Sequence, residues 1–288
     1  MLAIYKRELR SFFSSMIGYV YIAIVMIFIG IYFMAYNLIT GYPYFSQTLA
    51  AVISVFIVTV PILTMKSLAE DRKNKTDQLL LTAPVTVTAI VLGKYFALMT
   101  VFFVPMVFCM FCPLIISTFG NFYFLGDYIA IFAFICLGGA LISIGLFISS
   151  LTENQIISAV GTFGVLLFVL LWDGIIDFIP TSYYASFFGC FIILGVIVLL
   201  LHNVSRNQLL SLCVGAVGAL ILIICFVVDK FMFMELLPNV LKSLSFTQVL
   251  YNFALYSVFD LGGLFLYLST IVLFIFLTVQ SVQRRRWY

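Results

Sequence analysis

Apolar residues occupy most of the chain in long stretches that short polar segments interrupt. Between Ser11 and Met65 no charged residue occurs. One helix of that length would extend about 80 Å at about 1.5 Å per residue, whereas the hydrocarbon core of a bilayer is about 30 Å thick. We therefore expect the stretch to fold back, and the turn is predicted at 37–43, where Gly41 and Pro43 interrupt helix formation.

The apolar stretches together predict an all-α polytopic membrane protein with eight transmembrane helices. The sixth is the shortest, and the count falls to six if the sixth and seventh do not cross. Both counts are even, so both termini are predicted on one side of the membrane. The predicted spans are 18–38, 48–65, 95–117, 128–150, 156–176, 185–201, 209–228 and 264–282.

Residues 1–16 show a different, amphipathic pattern. The apolar residues recur every three or four positions, and they are Leu2, Tyr5, Leu9, Phe12 and Met16. The basic residues of the opposite face are Lys6, Arg7 and Arg10. Because these two sets separate at 100° per residue, we expect a helix that lies in the membrane interface with its basic face toward lipid headgroups or a partner. The alternative is a basic flank that only sets the orientation of the chain.

The composition supports a membrane protein and sets its orientation. Hydrophobic residues make up 65% of the chain and charged residues only 9%, with a mean hydropathy of +1.25. With a cytoplasmic N-terminus, twelve of the 14 Lys and Arg residues fall on the cytoplasmic side, as the positive-inside rule requires. The net charge of +3 therefore reflects orientation, and no basic face interleaved with aromatic residues indicates a nucleic-acid partner. A multi-pass protein of a bacterial cell membrane is expected.

The segment 66–94 is predicted to be a cytoplasmic excursion between the second and third spans. It holds roughly a third of all charged residues, and residues 70–75 are expected to extend the second span into water. A short helix is predicted over 76–82, before Pro84, and Thr86 is predicted to cap the next helix. Three adjacent leucines, Leu79 to Leu81, leave an apolar surface on that short helix that suits a groove on a partner.

Two further segments are predicted from small and polar residues. The pairs Gly139/Ser143 and Gly145/Ser149 have the spacing that lets helices approach closely, either within the chain or between two copies. The extracytoplasmic segment 230–263 is less apolar and is expected to contain short helices.

The six cysteines lie in apolar stretches, and they are interpreted as buried apolar residues.

Several kinds of chemistry lack the residues that they need. No Asp, Glu, Lys or Arg lies at mid-depth in a predicted span, which argues against an ion-coupled carrier. Thr88 stands where a phosphate loop ending at Gly93-Lys94 needs its first glycine, and Tyr95 follows the lysine. No metal-ligand set, cofactor motif or nucleophile–base set is present in the sequence, so we expect no enzyme, no catalytic residue and no cofactor. Energy for any transport would have to come from elsewhere.

The residues from Ser67 to Lys94 also resemble a family signature. An acidic-acidic-basic triplet, Glu70-Asp71-Arg72, precedes Thr76-Asp77, a leucine run, Pro84-Val-Thr and the pair Gly93-Lys94. This order is similar to that of permeases of ATP-binding-cassette (ABC) transporters of the type-2 exporter class, and it is closest to the gliding-motility-type branch. The basic start and the end of the chain also fit. Lys75 stands where the family pattern has a glycine.

The resemblance implies a single permease domain over 1–288 that works with a separate ABC ATPase subunit. It implies a homodimer or a second permease subunit, and it allows an extracytoplasmic accessory protein. The first helix and the helix over 76–82 would contact the ATPase. The implied coupling residues are Glu70, Asp71, Arg72, Thr76, Asp77, Leu79, Leu80 and Leu81. Whether the leucines or the flanking charges transmit force stays open, and the alternative function is a non-transporting membrane anchor for an ATPase-driven surface machine.

Overall fold

The structure is a computed structural model that describes residues 1–77, 85–118, 123–205, 208–228, 230–256 and 260–286. These residues form helices joined by loops, and they contain no strand. The α-helices are α1 (Leu2–Ser14), α2 (Met16–Phe33), α3 (Phe45–Thr64), α4 (Ala69–Lys73), α5 (Val87–Cys109), α6 (Cys112–Ser117), α7 (Phe124–Leu151), α8 (Gln155–Asp177), α9 (Tyr183–Ser205), α10 (Gln208–Val228), α11 (Leu236–Lys242), α12 (Phe246–Tyr256) and α13 (Leu261–Arg286).

Each predicted span coincides with a helix. Among the described residues, six stretches are long and apolar enough to cross a membrane: Met16–Ile39, Phe45–Lys73, Val87–Ser117, Phe124–Leu151, Gln155–Asp177 and Leu261–Arg284. The all-α, multi-pass character is therefore confirmed. Helices α9 and α10, with 23 and 21 residues, occupy the sixth and seventh predicted spans. The choice between eight and six crossing helices stays a prediction.

The chain divides into two compact units, and the larger one comprises residues 1–170 and 246–288. Its core lies between α3, α5 and α7, where the ring of Phe56 contacts those of Phe102 and Phe134 at centroid distances of 5.5 and 4.8 Å. Gly138 makes this packing possible, because a Cβ atom there would overlap the Phe102 ring. Helices α12 and α13 pack against α7.

The small residues of α7 face other helices of the same chain. Ser143 and Ser149 are fully buried, and a Cβ atom on Gly145 would lie 2.5 Å from Thr64 Oγ1. Gly139 approaches α5, where its carbonyl oxygen accepts a hydrogen bond from the Tyr95 hydroxyl at 3.4 Å. These four positions therefore pack within the chain, and a contact between two copies stays a prediction.

The first turn lies slightly later than 37–43. After α2 the chain continues as a π-helix over Met34–Ile39, and the reversal starts at Thr40. Asn37 is buried and donates to the carbonyl oxygens of Tyr42 and Tyr44 at 2.8 and 3.1 Å. This side chain closes the loop, so Asn37 belongs to the helix and not to the turn.

The smaller unit comprises residues 171–245. Helices α9 and α10 pack against each other, and Gly189 admits the Leu237 side chain of α11. Trp172 Nε1 donates to the Leu241 carbonyl oxygen at 3.0 Å, and Lys242 forms an ion pair with Asp177 at 3.3 Å. The short helices that the sequence predicts within 230–263 are a 3-10 helix (Phe231–Phe233) and α11 in this unit and α12 in the larger unit.

Candidate functional site: a buried charge cluster around Lys94

Lys94 lies two turns inside α5 and is only 1% exposed. Its ammonium group reaches three acceptors: the Ser67 carbonyl oxygen at 2.6 Å, Asp71 Oδ2 at 2.6 Å and Glu8 Oε1 at 3.1 Å. The Ser67 carbonyl accepts a hydrogen bond from the ammonium, whereas the two carboxylates are close enough for ion pairs without meeting the angles of a hydrogen bond. Because an unpaired buried charge costs several kcal/mol, Lys94 holds these three otherwise distant segments together.

Arg7 completes the cluster from α1. Its Nη2 atom lies 2.7 Å from Glu8 Oε1 and 3.9 Å from Asp71 Oδ2. Arg7, Glu8, Asp71 and Lys94, which we call the Lys94 cluster, therefore contain two positive and two negative groups. The charges balance, and both cations lie within 4 Å of both carboxylates. This geometry allows the partners to exchange without leaving a charge unpaired.

Helix α1 is bound to α5 by contacts beyond the charges. Gly93 lies beneath α1, because a Cβ atom there would come within 3.2 Å of Ile4 Cγ2. The hydroxyl groups of Tyr5 and Thr100 are hydrogen-bonded at 3.0 Å. The pair Gly93-Lys94, which does not form a phosphate loop, thus serves as the contact point of α1.

The buried face of α1 overlaps the predicted apolar stripe only in part. Ile4, Glu8 and Phe12 are buried, and Leu9 of the stripe is partly buried against the core. Leu2 at the start of the stripe is 74% exposed, and Met16 at its end belongs to α2. Lys6, Arg7 and Arg10 are exposed, as expected for a basic face.

Residues 70–75 do not continue α3 as one unbroken helix, and their extension of the second span into water stays a prediction. Helix α3 ends at Thr64, and a turn leads to α4. A side chain from another helix caps the backbone N–H groups at the start of α4. Ser149 Oγ of α7 accepts from the N–H groups of Leu68 and Ala69 at 3.2 and 3.1 Å. Arg72 is 8% exposed and donates to the Thr152 carbonyl oxygen at 3.3 Å. Asp71 and Arg72 are therefore held by partners far along the chain, whereas Lys73, Asn74 and Lys75 are exposed.

The remaining predicted coupling residues divide between the cluster and its surroundings. Thr76 Oγ1 donates to Asp71 Oδ1 at 2.9 Å, and Glu70 pairs loosely with Lys66 at 3.7 Å. Asp77 is partly buried next to Thr76. Leu79, Leu80 and Leu81 lie outside the described residues.

The sequence analysis missed Glu8 and Lys94, the two residues that join α1 to the rest. One signal was available for each. Glu8 is the only acidic residue before Glu70 and lies in a helix that is otherwise basic. Lys94 lies inside a helix whose start at Thr86 was predicted, and Thr86 does cap it by accepting from the Ala89 N–H at 3.4 Å. A lysine so far inside an apolar helix needs a buried partner.

The fold and this cluster define an all-α, multi-pass membrane protein with a buried ionic junction at one end of its helices. Within the described ranges, no group of three or more His, Cys, Asp and Glu side chains could hold a metal ion. Compared with known protein families and with curated protein sequences, the chain matches none.

Proposed function

We propose that the chain is the membrane-spanning permease subunit of an ABC exporter of the type-2 class, acting in the cell membrane. A separate ATPase subunit would supply the energy through the segment 66–94. The multi-pass helical fold and the resemblance of residues 67–94 to that class support the proposal.

The Lys94 cluster is the observation that carries it. Through Lys94, the segment 66–77 is connected to α1 and α5, and through Ser149 and Arg72 it is connected to α7. A force applied to this segment would therefore reach α1, α5 and α7 directly. Such a junction of packed helices and ion pairs is the kind of physical connection through which coupling between sites travels.

The backbone at Lys75 gives independent support. Its φ angle is +57°, a left-handed conformation that favours glycine. The family pattern has a glycine at this position. Lys75 replaces that glycine, but the backbone keeps the left-handed conformation that glycine favours.

The proposed partners follow from the resemblance. An ABC ATPase subunit would contact α1 and the leucines Leu79–Leu81, and the permease would act as a homodimer or with a second permease subunit. An extracytoplasmic accessory protein is compatible with the segment 230–263.

Co-purification with the ATPase subunit tests the proposal. We expect Leu80→Asp to abolish the association because a charge replaces an apolar contact, while Asp71→Asn should retain the association and lower ATP hydrolysis in the complex. Lys73→Gln is the matched control, because Lys73 is exposed and lies outside the cluster. A Leu80→Asp complex with normal assembly and ATP hydrolysis would contradict the proposal. A complex that hydrolyses ATP but moves no substrate would favour the membrane-anchor alternative.

A further inference from the structure

A cleft of about 280 Å³ opens beside the Lys94 cluster, between α1 and the segment 66–76. This volume is near the lower end of small-molecule sites, which begin at roughly 300 Å³. The residues that line it are mostly charged or polar, and they are Arg7, Glu8, Ser11, Phe12, Lys66, Ser67, Glu70, Asp71, Asn74 and Thr76.

The lining of the cleft contains both basic and acidic side chains that are able to bind a further charged group. Arg7 is half exposed and has N–H groups beyond the one that meets Glu8. Among the described residues, Lys66 forms an ion pair only with Glu70, at 3.7 Å. Glu70 keeps about a third of its side chain exposed. Ser67 is 97% buried, and its Oγ atom has no hydrogen-bond partner among the described residues. A buried hydroxyl without a partner is unfavourable, so this atom points to a ligand in the cleft.

The cleft lies at the depth where the apolar helices end. Ser11 and Phe12 are within about one turn of Met16, where α2 begins, and Lys66 follows the end of α3 at Thr64. Met16 and Tyr19, within two turns of Phe12 along the chain, are exposed apolar side chains. A cleft with charged walls, close in the chain to exposed apolar residues, suits a molecule with a polar head and an acyl tail.

We propose that this cleft binds the headgroup of a zwitterionic phospholipid with a primary amine, of the phosphatidylethanolamine type. Arg7 and Lys66 bind the phosphate, and Glu70 with Ser67 Oγ accepts hydrogen bonds from the ammonium. The three basic and three acidic groups, Lys94 included, sum to zero, so the site does not favour a purely anionic ligand. A choline headgroup carries no N–H donor and leaves Glu70 and Ser67 unpaired.

This proposal does not depend on the transport function, because it concerns only the membrane-embedded chain. Native mass spectrometry of the full chain tests it, after exchange into mixed micelles that contain phosphatidylethanolamine, phosphatidylcholine and phosphatidylglycerol with the same acyl chains. We expect preferential retention of phosphatidylethanolamine by about tenfold, which corresponds to one charge-assisted hydrogen bond.

Two variants and one control separate the contacts. Glu70→Gln should remove the preference over phosphatidylcholine, and Lys66→Gln should weaken retention of all three lipids. Lys73→Gln changes the same charge on the same segment without lining the cleft, and it should leave the preference unchanged. Equal retention of the three lipids by the wild-type chain, or a preference that survives Glu70→Gln, would overturn the proposal. So would binding of soluble glycerophosphoethanolamine as tight as that of the lipid, because the ligand would then not come from the membrane.

Discussion

The two ends of the larger unit stabilise their helices in different ways. At one end, the Lys94 cluster joins three segments through four charged side chains. At the other end, the single carboxylate of Asp127 accepts from the N–H groups of Phe45 and Ser46 at 2.9 and 3.2 Å. Measured along α7 from Ser149 to Asp127, the two ends are about 33 Å apart at about 1.5 Å per residue. Asp127 is 1% exposed, and none of the described basic side chains forms an ion pair with it.

The difference separates a fixed end from an end that can rearrange. Asp127 is stabilised by the N-terminus of α3, and Asn37 closes the adjacent loop with neutral hydrogen bonds. Among the described residues, no charged side chain forms an ion pair with Asp127 that could replace these contacts. In the Lys94 cluster, either cation can pair with either carboxylate, and an open cleft lies beside the cluster. A movement of the bundle would therefore start at the Lys94 cluster and leave the Asp127 end in place.

Lys94→Met should give the largest effect on stability. It leaves Glu8 and Asp71 with Arg7 alone, and removal of one partner of a buried ion pair costs about 3 kcal/mol or more. Denaturant unfolding in mixed micelles measures this loss. The double variant Glu8→Gln/Lys94→Met should be less destabilised than Lys94→Met, because one unpaired carboxylate is gone. Equal destabilisation of the two variants would show that Glu8 and Lys94 do not interact energetically.

Asp127→Ala should have the next largest effect, about 2 kcal/mol, because the N–H groups of Phe45 and Ser46 lose their acceptor. Asp127→Asn keeps an acceptor and should lose less than half of that. The same unfolding measurement gives both values. If Asn were as harmful as Ala, the negative charge and not the hydrogen bond would be the stabilising feature at this end.

Ser149→Ala should cost about 1 kcal/mol, because it removes the side-chain cap of α4. The effect should be local. Hydrogen exchange should accelerate at the N–H groups of Leu68 and Ala69, while the exchange at Phe45 and Ser46 stays unchanged. An acceleration at both ends would contradict the separation between a fixed and a rearranging end.

Each end also contains one left-handed backbone position, and their substitution should give the smallest effects. Gly41, with φ +70°, should lose about 1 kcal/mol on change to Ala, whereas Lys75, with φ +57°, should gain about 0.5 kcal/mol on change to Gly. Thermal unfolding of the two variants against the wild-type chain measures both. A destabilising Lys75→Gly would mean that the lysine side chain contributes more than the backbone strain costs.

The helices could be predicted from sequence because a long apolar stretch has few alternatives in a membrane. Each predicted span contains a helix, and Thr86 was identified as a cap from its position before an apolar run. These features depend on neighbours in the chain. The same local information misplaced the start of the first turn, because the side chain of Asn37 bonds to carbonyl groups that only the folded loop presents.

The candidate site was predicted only in part for the same reason. Asp71, Arg72 and Thr76 were named as coupling residues because the charged segment that contains them resembles a family signature. Glu8 and Lys94 were not, because their partners are distant in sequence, and charge in a membrane protein is usually assumed to be in water. Gly138 was also missed. Its close contact with Phe102 depends on how α7 packs against α5, and the sequence of one helix does not show how it packs against the other.

The contact between Glu8 and Lys94 also imposes an order on biosynthesis. Helix α1 leaves the ribosome about eighty residues before Lys94 does, which is on the order of ten seconds at about 5–20 residues per second. During that interval Glu8 has no buried cation to meet, so α1 must wait in solvent or on the membrane surface. The ion pair between α1 and α5 can therefore form only after α5 has been synthesised, when Glu8 returns from solvent or the membrane surface to meet Lys94.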